Sequence, residues 1–180
     1  FSLLTSLIKL NPSGMGIVFC GTRHGVDAVT KNLRTHGIKA MAIHGGLTQS
    51  KRMHALDNLK KEHINILVAT DVAARGLDIK NVAHVYNYDV PKTSEEYIHR
   101  IGRTARAGMK GDAVTLLTEK DYQNFDRILS NRSLEIHKAE LPDFPRVPFL
   151  KQTSQNRSER FSDQPKKYFK KRTFGYNRNR

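Results

Sequence analysis

The chain has 180 residues, which is enough for one domain with an additional tail, and it carries a net charge of +14 with a pI near 10.1. A charge this basic indicates a polyanionic or acidic partner. The single cysteine, Cys20, excludes an internal disulfide framework and favours a reducing compartment, and no apolar run reaches the roughly 18 residues of a membrane span. Because the first residue is Phe1 rather than Met, we expect a fragment of a longer chain.

Helix-like and strand-like segments alternate through the first part of the chain. FSLLTSLIKL at residues 1–10 predicts an amphipathic helix, and GIVFC at 16–20 predicts a short buried strand. TRHGVDAVTKNLRTHG then places apolar residues at helical spacing until Gly37 ends the pattern. KAMAI predicts a second strand. TQSKRMHALDNLKK predicts a helix that is capped by Thr48, with an apolar face of Met53, Leu56 and Leu59.

The same alternation continues to residue 131. INILVAT is a continuous apolar run, typical of a strand covered on both faces, and AHVYNY predicts a further strand. SEEYIHRIGRTARAG predicts a helix over 94–108, with Ser94 as its cap and Gly108 at its end. DAVTLL and EKDYQNFDRILSN repeat the strand–helix unit. The pattern predicts an α/β fold in three layers, with a mostly parallel central sheet flanked by helices.

Basic charge is concentrated at the end of the sequence. Residues 151–180 contain 10 Lys/Arg against 2 Asp/Glu, whereas residues 1–150 contain 21 against 15. Because the final segment has almost no aliphatic residues, it cannot offset the entropy of ordering, and we expect a disordered basic and aromatic tail. We expect the folded domain to span 1–141, and three prolines predict an extended strap over 142–150.

Polar residues follow the predicted strands, where parallel sheets bind their ligands. Thr22 is typical of a helix cap, although its hydroxyl and the free N–H groups of the first helical turn could also hold a phosphate. His44 is typical of a hydrogen-bonded structural histidine. Arg52 is mildly unfavourable in a first helical turn, which favours an external anion. Asp71 and Asp78 are typical of carboxylates that cap turns.

The stretch HRIGRTARAG at 99–108 carries three arginines within seven residues. On a helix, arginines three residues apart share a face and repel each other by a few tenths of a kcal/mol. One interpretation is a solvated basic face. The alternative is a strongly negative ligand, because the small residues between the arginines permit close approach of a backbone or a ligand.

Four stretches together resemble the second RecA-like domain of the DEAD-box RNA helicases. IVFCGT resembles motif IV of that family, QSKR motif IVa, ATDVAARGLD motif V and HRIGRTAR motif VI, in family order across roughly residues 1–145. Two departures, Ala105 for the usual glycine and Leu59 where the family often has Phe, remove no charged group. The resemblance implies a RecA-like domain, and no feature of the sequence explains Ala105.

The resemblance implies that ATP binds between two RecA-like domains, with Mg²⁺ held by an N-terminal domain. Neither G-x-x-x-x-G-K-[ST] nor D-E-A-D occurs in this sequence, so the chain would supply half of an active site. The residues that match ATP-binding positions are Gly76, Asp78, Arg103 and Arg106. Of these, Arg103 and Arg106 match catalytic arginine fingers, which stabilise charge on the transferring phosphoryl group. His99 and Arg100 match positions that couple the two domains.

The resemblance also implies contacts with an RNA backbone that do not depend on RNA sequence. The matching residues are Thr22, Gly45, Arg52, Thr70 and Gly76. We expect the tail to tether RNA through counterion release and base stacking.

The expected protein is an intracellular ATP-dependent RNA helicase, cytoplasmic or, in a eukaryote, nuclear. Its partners would be RNA and the N-terminal RecA-like domain of the same full-length chain, with no membrane, and the isolated chain would not hydrolyse ATP. The alternatives are an ATP-independent RNA-binding or annealing module and a related helicase that acts on DNA.

Overall fold

A single parallel sheet organises the computed structural model, which describes residues 1–75, 77, 79, 82–104 and 111–150. Its order is β2-β3-β1-β4-β5, with β1 (Met15–Phe19), β2 (Ala40–Ile43), β3 (Ile66–Ala69), β4 (Val82–Asn87) and β5 (Asp112–Thr115). The helices are α1 (Ser2–Leu10), α2 (Arg23–Thr35), α3 (Gln49–Lys60), α4 (Asp71–Ala74), α5 (Ser94–Ile101) and α6 (Tyr122–Leu129). This architecture confirms the predicted α/β fold with a parallel sheet flanked by helices.

Alternate residues of the strands face different helices. Ile17 and Phe19 of β1 belong to an apolar cluster that includes residues of α3 and α4. Val18, the residue between them, belongs to a second cluster that includes residues of α1 and α2. Because side chains of a strand alternate between the two faces, the sheet is covered on both sides. This double burial explains the continuous apolar run of β3, whose four residues are all buried.

Local signals fix the ends of two helices as predicted. Thr22 and Thr48 are the N-caps of α2 and α3, and Gly37 follows α2 with a φ of +79°. The predicted apolar face of α3 is wrong at Met53, which is 48 % exposed, whereas Ala55 is fully buried. Met53 lies about 200° around the helix from Ala55, so the two side chains cannot face the sheet together.

The helix predicted over 94–108 is shorter than expected. Its N-cap is Thr93 rather than Ser94, and it ends at Ile101. The chain leaves the helix because Thr104 pairs with Val82 in a parallel bridge and its hydroxyl donates to the Val82 carbonyl at 2.6 Å. Arg100 therefore lies in the helix and Arg103 beyond its end, so the prediction that these arginines share one helix is wrong, and Arg106 lies outside the described residues. The predicted end at Gly108 lies outside the described residues.

Residues 142–150 lie without regular secondary structure against α1 and α2. The Ser2 hydroxyl accepts from the Val147 N–H at 3.0 Å and donates to the Val147 carbonyl at 3.3 Å. The buried Asn32 side chain accepts from the Leu150 N–H at 2.7 Å and donates to the Leu150 carbonyl at 3.1 Å. Two side chains thus hold the main chain of this segment.

The expected tail, residues 151–180, lies outside the described part of the chain. In the part that the structure describes, no helix combines the length and apolar character that a membrane crossing requires.

Candidate functional site

The carboxyl ends of the strands lie in register. Ile43, Ala69, Phe19, Asn87 and Thr115 form one row across the sheet. Neighbouring strands of a sheet lie about 4.8 Å apart, so the residues that follow this row emerge side by side at one edge. The sequence-predicted positions after the strands therefore share one edge of the domain.

Thr22, Gly45 and Thr70 follow β1, β2 and β3, which are neighbouring strands. The Thr22 hydroxyl oxygen accepts from the Gly25 N–H at 2.9 Å, so the capping interpretation is correct. Thr70 is the N-cap of α4, but its side chain makes no capping hydrogen bond. Each of the two threonines is thus placed to offer a hydroxyl hydrogen at the edge.

Gly45 lies against the Arg23 guanidinium group. A Cβ on Gly45 would stand 3.3 Å from Arg23 Nη2, so a larger residue would displace the arginine. Arg23 is exposed and follows the Thr22 cap directly. The structure therefore adds a cation, which the sequence analysis did not single out, beside two predicted RNA-contact positions.

His44 is a structural histidine, as its residue type predicts. It is 6 % exposed, its Nδ1 accepts from the Gly46 N–H at 3.1 Å, and its Nε2 lies 3.1 Å from Asp27 Oδ1. Since Nδ1 is an acceptor, Nε2 carries the hydrogen and donates it to the Asp27 carboxylate. These two bonds anchor the glycine-containing loop to α2.

Arg52 lies in the first turn of α3 and is half-buried. Its Nη1 donates to Gln49 Oε1 at 3.4 Å, whereas its buried Nε has no hydrogen-bond partner among the described residues. An unsatisfied buried donor costs about 1–3 kcal/mol, and a bound anion would remove that cost.

Arg100 is the centre of a buried network at the strand ends, with a side chain that is 2 % exposed. Its Nε and Nη2 donate to the two Asp71 carboxylate oxygens at 2.6 and 2.8 Å. Its Nη1 donates to Asn87 Oδ1 at 3.2 Å and to the Asp89 carbonyl at 2.6 Å. The guanidinium carbon lies 5.0 Å from the centre of the Phe19 ring. Arg100 therefore ties together residues at the ends of β1, β3 and β4.

Asp71 does not cap a turn, which was its predicted role. Its carboxylate lies in a bidentate pair with Arg100, because the guanidinium fork matches two carboxylate oxygens at once. The pair cancels both charges at the edge. An anionic ligand near this edge is therefore not repelled by an unpaired Asp71 carboxylate.

A small cleft adjoins the Arg100–Asp71 pair, and it is lined in part by Arg75, His99 and Arg103. His99 and Arg75 are exposed, and Arg103 is half-buried with its Nη1 donating to the Leu77 carbonyl at 3.3 Å. The structure thus brings His99, Arg100 and Arg103 together at the end of α5. The predicted site residues Gly76, Asp78 and Arg106 lie outside the described residues.

The Cys20 thiol and the Tyr88 phenol, near the edge, stay in their neutral forms at neutral pH. Burial raises the pKa of the Cys20 thiol, and the Asp89 carboxylate raises it further, although Arg100 opposes the shift. Burial and the same carboxylate raise the pKa of Tyr88 to about 12. Cys20 is therefore an inert, protonated thiol at neutral pH. In the described part of the chain, no group of three or more His, Cys, Asp or Glu side chains could hold a metal ion.

Sequence reasoning missed Asn87, Asp89 and the pairing of Asp71. Asn87 lies near the end of the predicted strand AHVYNY and Asp89 directly follows it, so closeness to the end of a strand is the signal that could have selected them. The partners of Arg100 lie 11 to 29 residues away in the sequence, which no local pattern specifies.

Comparisons with known proteins place the chain in a family. The helicase conserved C-terminal domain family matches residues 1–108. The DEAD-box ATP-dependent RNA helicase CshA of Bacillus licheniformis is 49 % identical over 141 residues, which are 77 % of this chain and 29 % of that protein. The chain therefore spans less than a third of the length of this curated relative.

Solved structures match the fold as well. The E. coli DEAD-box protein SrmB, crystallised with regulator of ribonuclease activity A, superposes with a TM-score of 0.69 at 42 % identity, covering 74 % of this chain and 77 % of that one. The Mss116p DEAD-box helicase domain 2, solved with an RNA duplex, superposes with a TM-score of 0.64 at 32 % identity, covering 75 % and 54 %. These matches confirm the predicted RecA-like architecture.

Proposed function

The chain belongs to the helicase conserved C-terminal domain family, in its DEAD-box type, and from this premise we propose that it is the second half of an ATP-dependent RNA helicase. In this proposal the edge of the sheet has two functions. The ends of β2, β3 and β1 hold an RNA backbone, and the end of α5 offers arginines to ATP that is bound by an N-terminal RecA-like domain. The observation that carries the proposal is the cleft lined by His99 and Arg103, which also touches Phe19 and Asp71 at the carboxyl ends of β1 and β3, next to the proposed RNA positions.

The proposed RNA contact is supported by side-chain hydrogen-bond donors that could bind phosphate oxygens. The Thr70 hydroxyl makes no capping bond, and the buried Nε of Arg52 has no partner within the described residues. Thr22 keeps a hydroxyl hydrogen to donate while its oxygen caps α2. Such donors bind phosphate oxygens and fix the position of a strand without reading its bases. Gly45 would permit close approach of the RNA backbone. Gly76, which lies outside the described residues, is proposed for the same role from the motif resemblance.

The ATP side is supported by the donor set of the cleft. Arg103 and Arg75 offer planar guanidinium groups, which match pairs of phosphate oxygens and remain charged at all relevant pH values. ATP with Mg²⁺ would supply the transferable phosphoryl group, and the N-terminal domain would hold the metal. Arg103 would exchange its bond to the Leu77 carbonyl for phosphate oxygens when the domains close. Arg106 as second finger, and Gly76 and Asp78 at the nucleotide, are proposed from the motif resemblance.

The two residues matched to domain coupling would act differently. His99 is exposed at the cleft, so it can contact the N-terminal domain directly. Arg100 is buried and fully engaged with residues of its own domain. We therefore propose that Arg100 contributes to coupling indirectly, by holding Asp71 and the strand ends in place around the cleft.

The proposed protein works inside the cell, with RNA and its own N-terminal domain as partners. The basic and aromatic composition of residues 151–180 supports an additional, sequence-independent RNA tether, because basic residues release counterions and aromatic rings stack on bases.

The test uses the full-length protein that contains this chain. Arg103→Ala should lower RNA-stimulated ATP hydrolysis by about 10³-fold or more, because an arginine finger contributes about 10³–10⁵ in rate. Affinity for single-stranded RNA should stay within about twofold, because the residue would act on the nucleotide. Arg127→Ala, which removes an exposed arginine from α6, is the matched control and should change neither quantity. Lower RNA affinity with intact hydrolysis in Arg103→Ala would reject the assignment.

A further inference from the structure

Asp89 joins the two functional parts of the edge through three of its own atoms. Its carboxylate Oδ2 accepts from the Gly21 N–H at 2.8 Å, in the loop that carries Thr22. Its carbonyl accepts from Arg100 Nη1 at 2.6 Å. Its N–H donates to the Phe19 carbonyl at 3.2 Å. A single residue after β4 therefore contacts both the buried arginine beside the cleft and the loop between β1 and α2.

The loop between β1 and α2 depends on this contact. Cys20 is tied to β3 by its N–H bond to the Ala69 carbonyl at 2.9 Å, and among the described residues Thr22 bonds to α2, through its cap and its carbonyl. Gly21 is exposed, and a Cβ on it would stand 3.7 Å from Asp89 Oδ2, so the loop backbone packs directly on the carboxylate. The Gly21–Asp89 bond is thus the tie that fixes the peptide immediately before the Thr22 cap.

We infer that Asp89 is a positioning residue that holds the Thr22 loop in the geometry required for RNA contact and links that loop to Arg100. The inference rests on the proposed RNA contact of Thr22. Asp89 does not need its negative charge to hold the loop in this position, since a carboxamide oxygen also accepts the Gly21 hydrogen. The charge alone would have the opposite effect, because a carboxylate beside an RNA phosphate repels it.

Three variants separate geometry from charge. Asp89→Ala removes both the acceptor and the charge, Asp89→Asn keeps an acceptor without the charge, and Asp89→Glu keeps the charge but moves the acceptor by one methylene. If the position of the hydrogen-bond acceptor decides RNA binding, Asp89→Ala and Asp89→Glu weaken it and Asp89→Asn does not. If charge decides, Ala and Asn strengthen RNA binding and Glu leaves it unchanged. If Asp89→Ala does not fold, Asp89→Glu still tests the position of the acceptor.

The experiment measures ATP hydrolysis by the full-length protein against the concentration of a single-stranded RNA, together with binding of the labelled RNA by anisotropy. Asp89→Ala and Asp89→Glu should raise both the RNA Kd and the RNA KM by about tenfold, the size of a lost hydrogen bond to a charged acceptor. The kcat at saturating RNA should stay within about twofold, because the nucleotide contacts are intact. A merely structural role would lower unfolding stability without this split between KM and kcat.

Two controls keep this inference distinct from the proposed function. Asp126→Ala removes one exposed carboxylate from α6 and should leave RNA binding unchanged, which accounts for net charge. Arg52→Ala tests the proposed RNA surface itself. If Arg52→Ala leaves RNA affinity unchanged, the proposed RNA function fails. If Arg52→Ala weakens binding whereas Asp89→Ala and Asp89→Glu do not, only the role of Asp89 is overturned.

Discussion

Replacing Arg100 by Met should destabilise the domain more than replacing any exposed arginine. The substitution removes four hydrogen bonds and leaves the Asp71 carboxylate, which is 22 % exposed, without its counter-charge. Removing one partner of a buried ion pair costs about 3–5 kcal/mol. A domain of this size is stable by about 5–15 kcal/mol, so the variant should lose a large share of its stability.

Urea unfolding of the 180-residue chain, followed by circular dichroism, measures this loss. Arg127→Met, on the exposed side of α6, is the matched control and should cost about 0.5 kcal/mol or less. In a double-mutant cycle, Asp71→Asn should cost less in the Arg100→Met background than alone, since its partner is already absent. A loss below about 1 kcal/mol for Arg100→Met, or zero coupling in the cycle, would refute the reasoning.

Three further predictions concern the whole chain. A phosphate-release assay should detect no RNA-stimulated ATP hydrolysis by the 180-residue chain, and turnover would reject the proposed division of the active site. Deleting residues 151–180 from the full-length protein should weaken RNA binding and flatten its dependence on salt, and an unchanged slope would exclude the tether. Burial and Asp112 raise the pKa of Tyr86 to about 12. The contribution of Tyr86 to stability should therefore hold below pH 10 and fall towards pH 12, by up to about 1.4 kcal/mol per pH unit. Tyr86→Phe should reduce this fall in urea unfolding, and an equally steep fall would contradict it.

The elements of the fold could be predicted because their signals are local. The strands are short apolar runs between turn residues, and Thr22, Thr48 and Gly37 mark helix ends within a few residues of their partners. The face of α3 could not be predicted, since Met53 and Ala55 are both apolar and only the packed sheet decides which side chain is buried.

The end of α5 and the environment of Arg100 depend on contacts that are distant in sequence. Thr104 leaves the helix to bind the Val82 carbonyl, 22 residues earlier. Arg100 pairs with Asp71, 29 residues earlier. Thr22, Gly45 and Thr70 do share one edge of the sheet, because parallel strands place their carboxyl ends together. The roles of the predicted site residues towards ATP and RNA remain proposals.

The hydrogen bonds of Ser2 and Asn32 to the main chain of Val147 and Leu150 limit which changes this segment tolerates. Both side chains bind main-chain atoms, so the identities of Val147 and Leu150 are not specified by these bonds. Pro148 stands between the two N–H groups that are used, at a position that donates none. Substitutions other than proline should therefore be tolerated at both bonded positions as far as these bonds are concerned. A one-residue deletion between them would shorten the spacing, so that Ser2 and Asn32 could not both keep their hydrogen bonds to the segment.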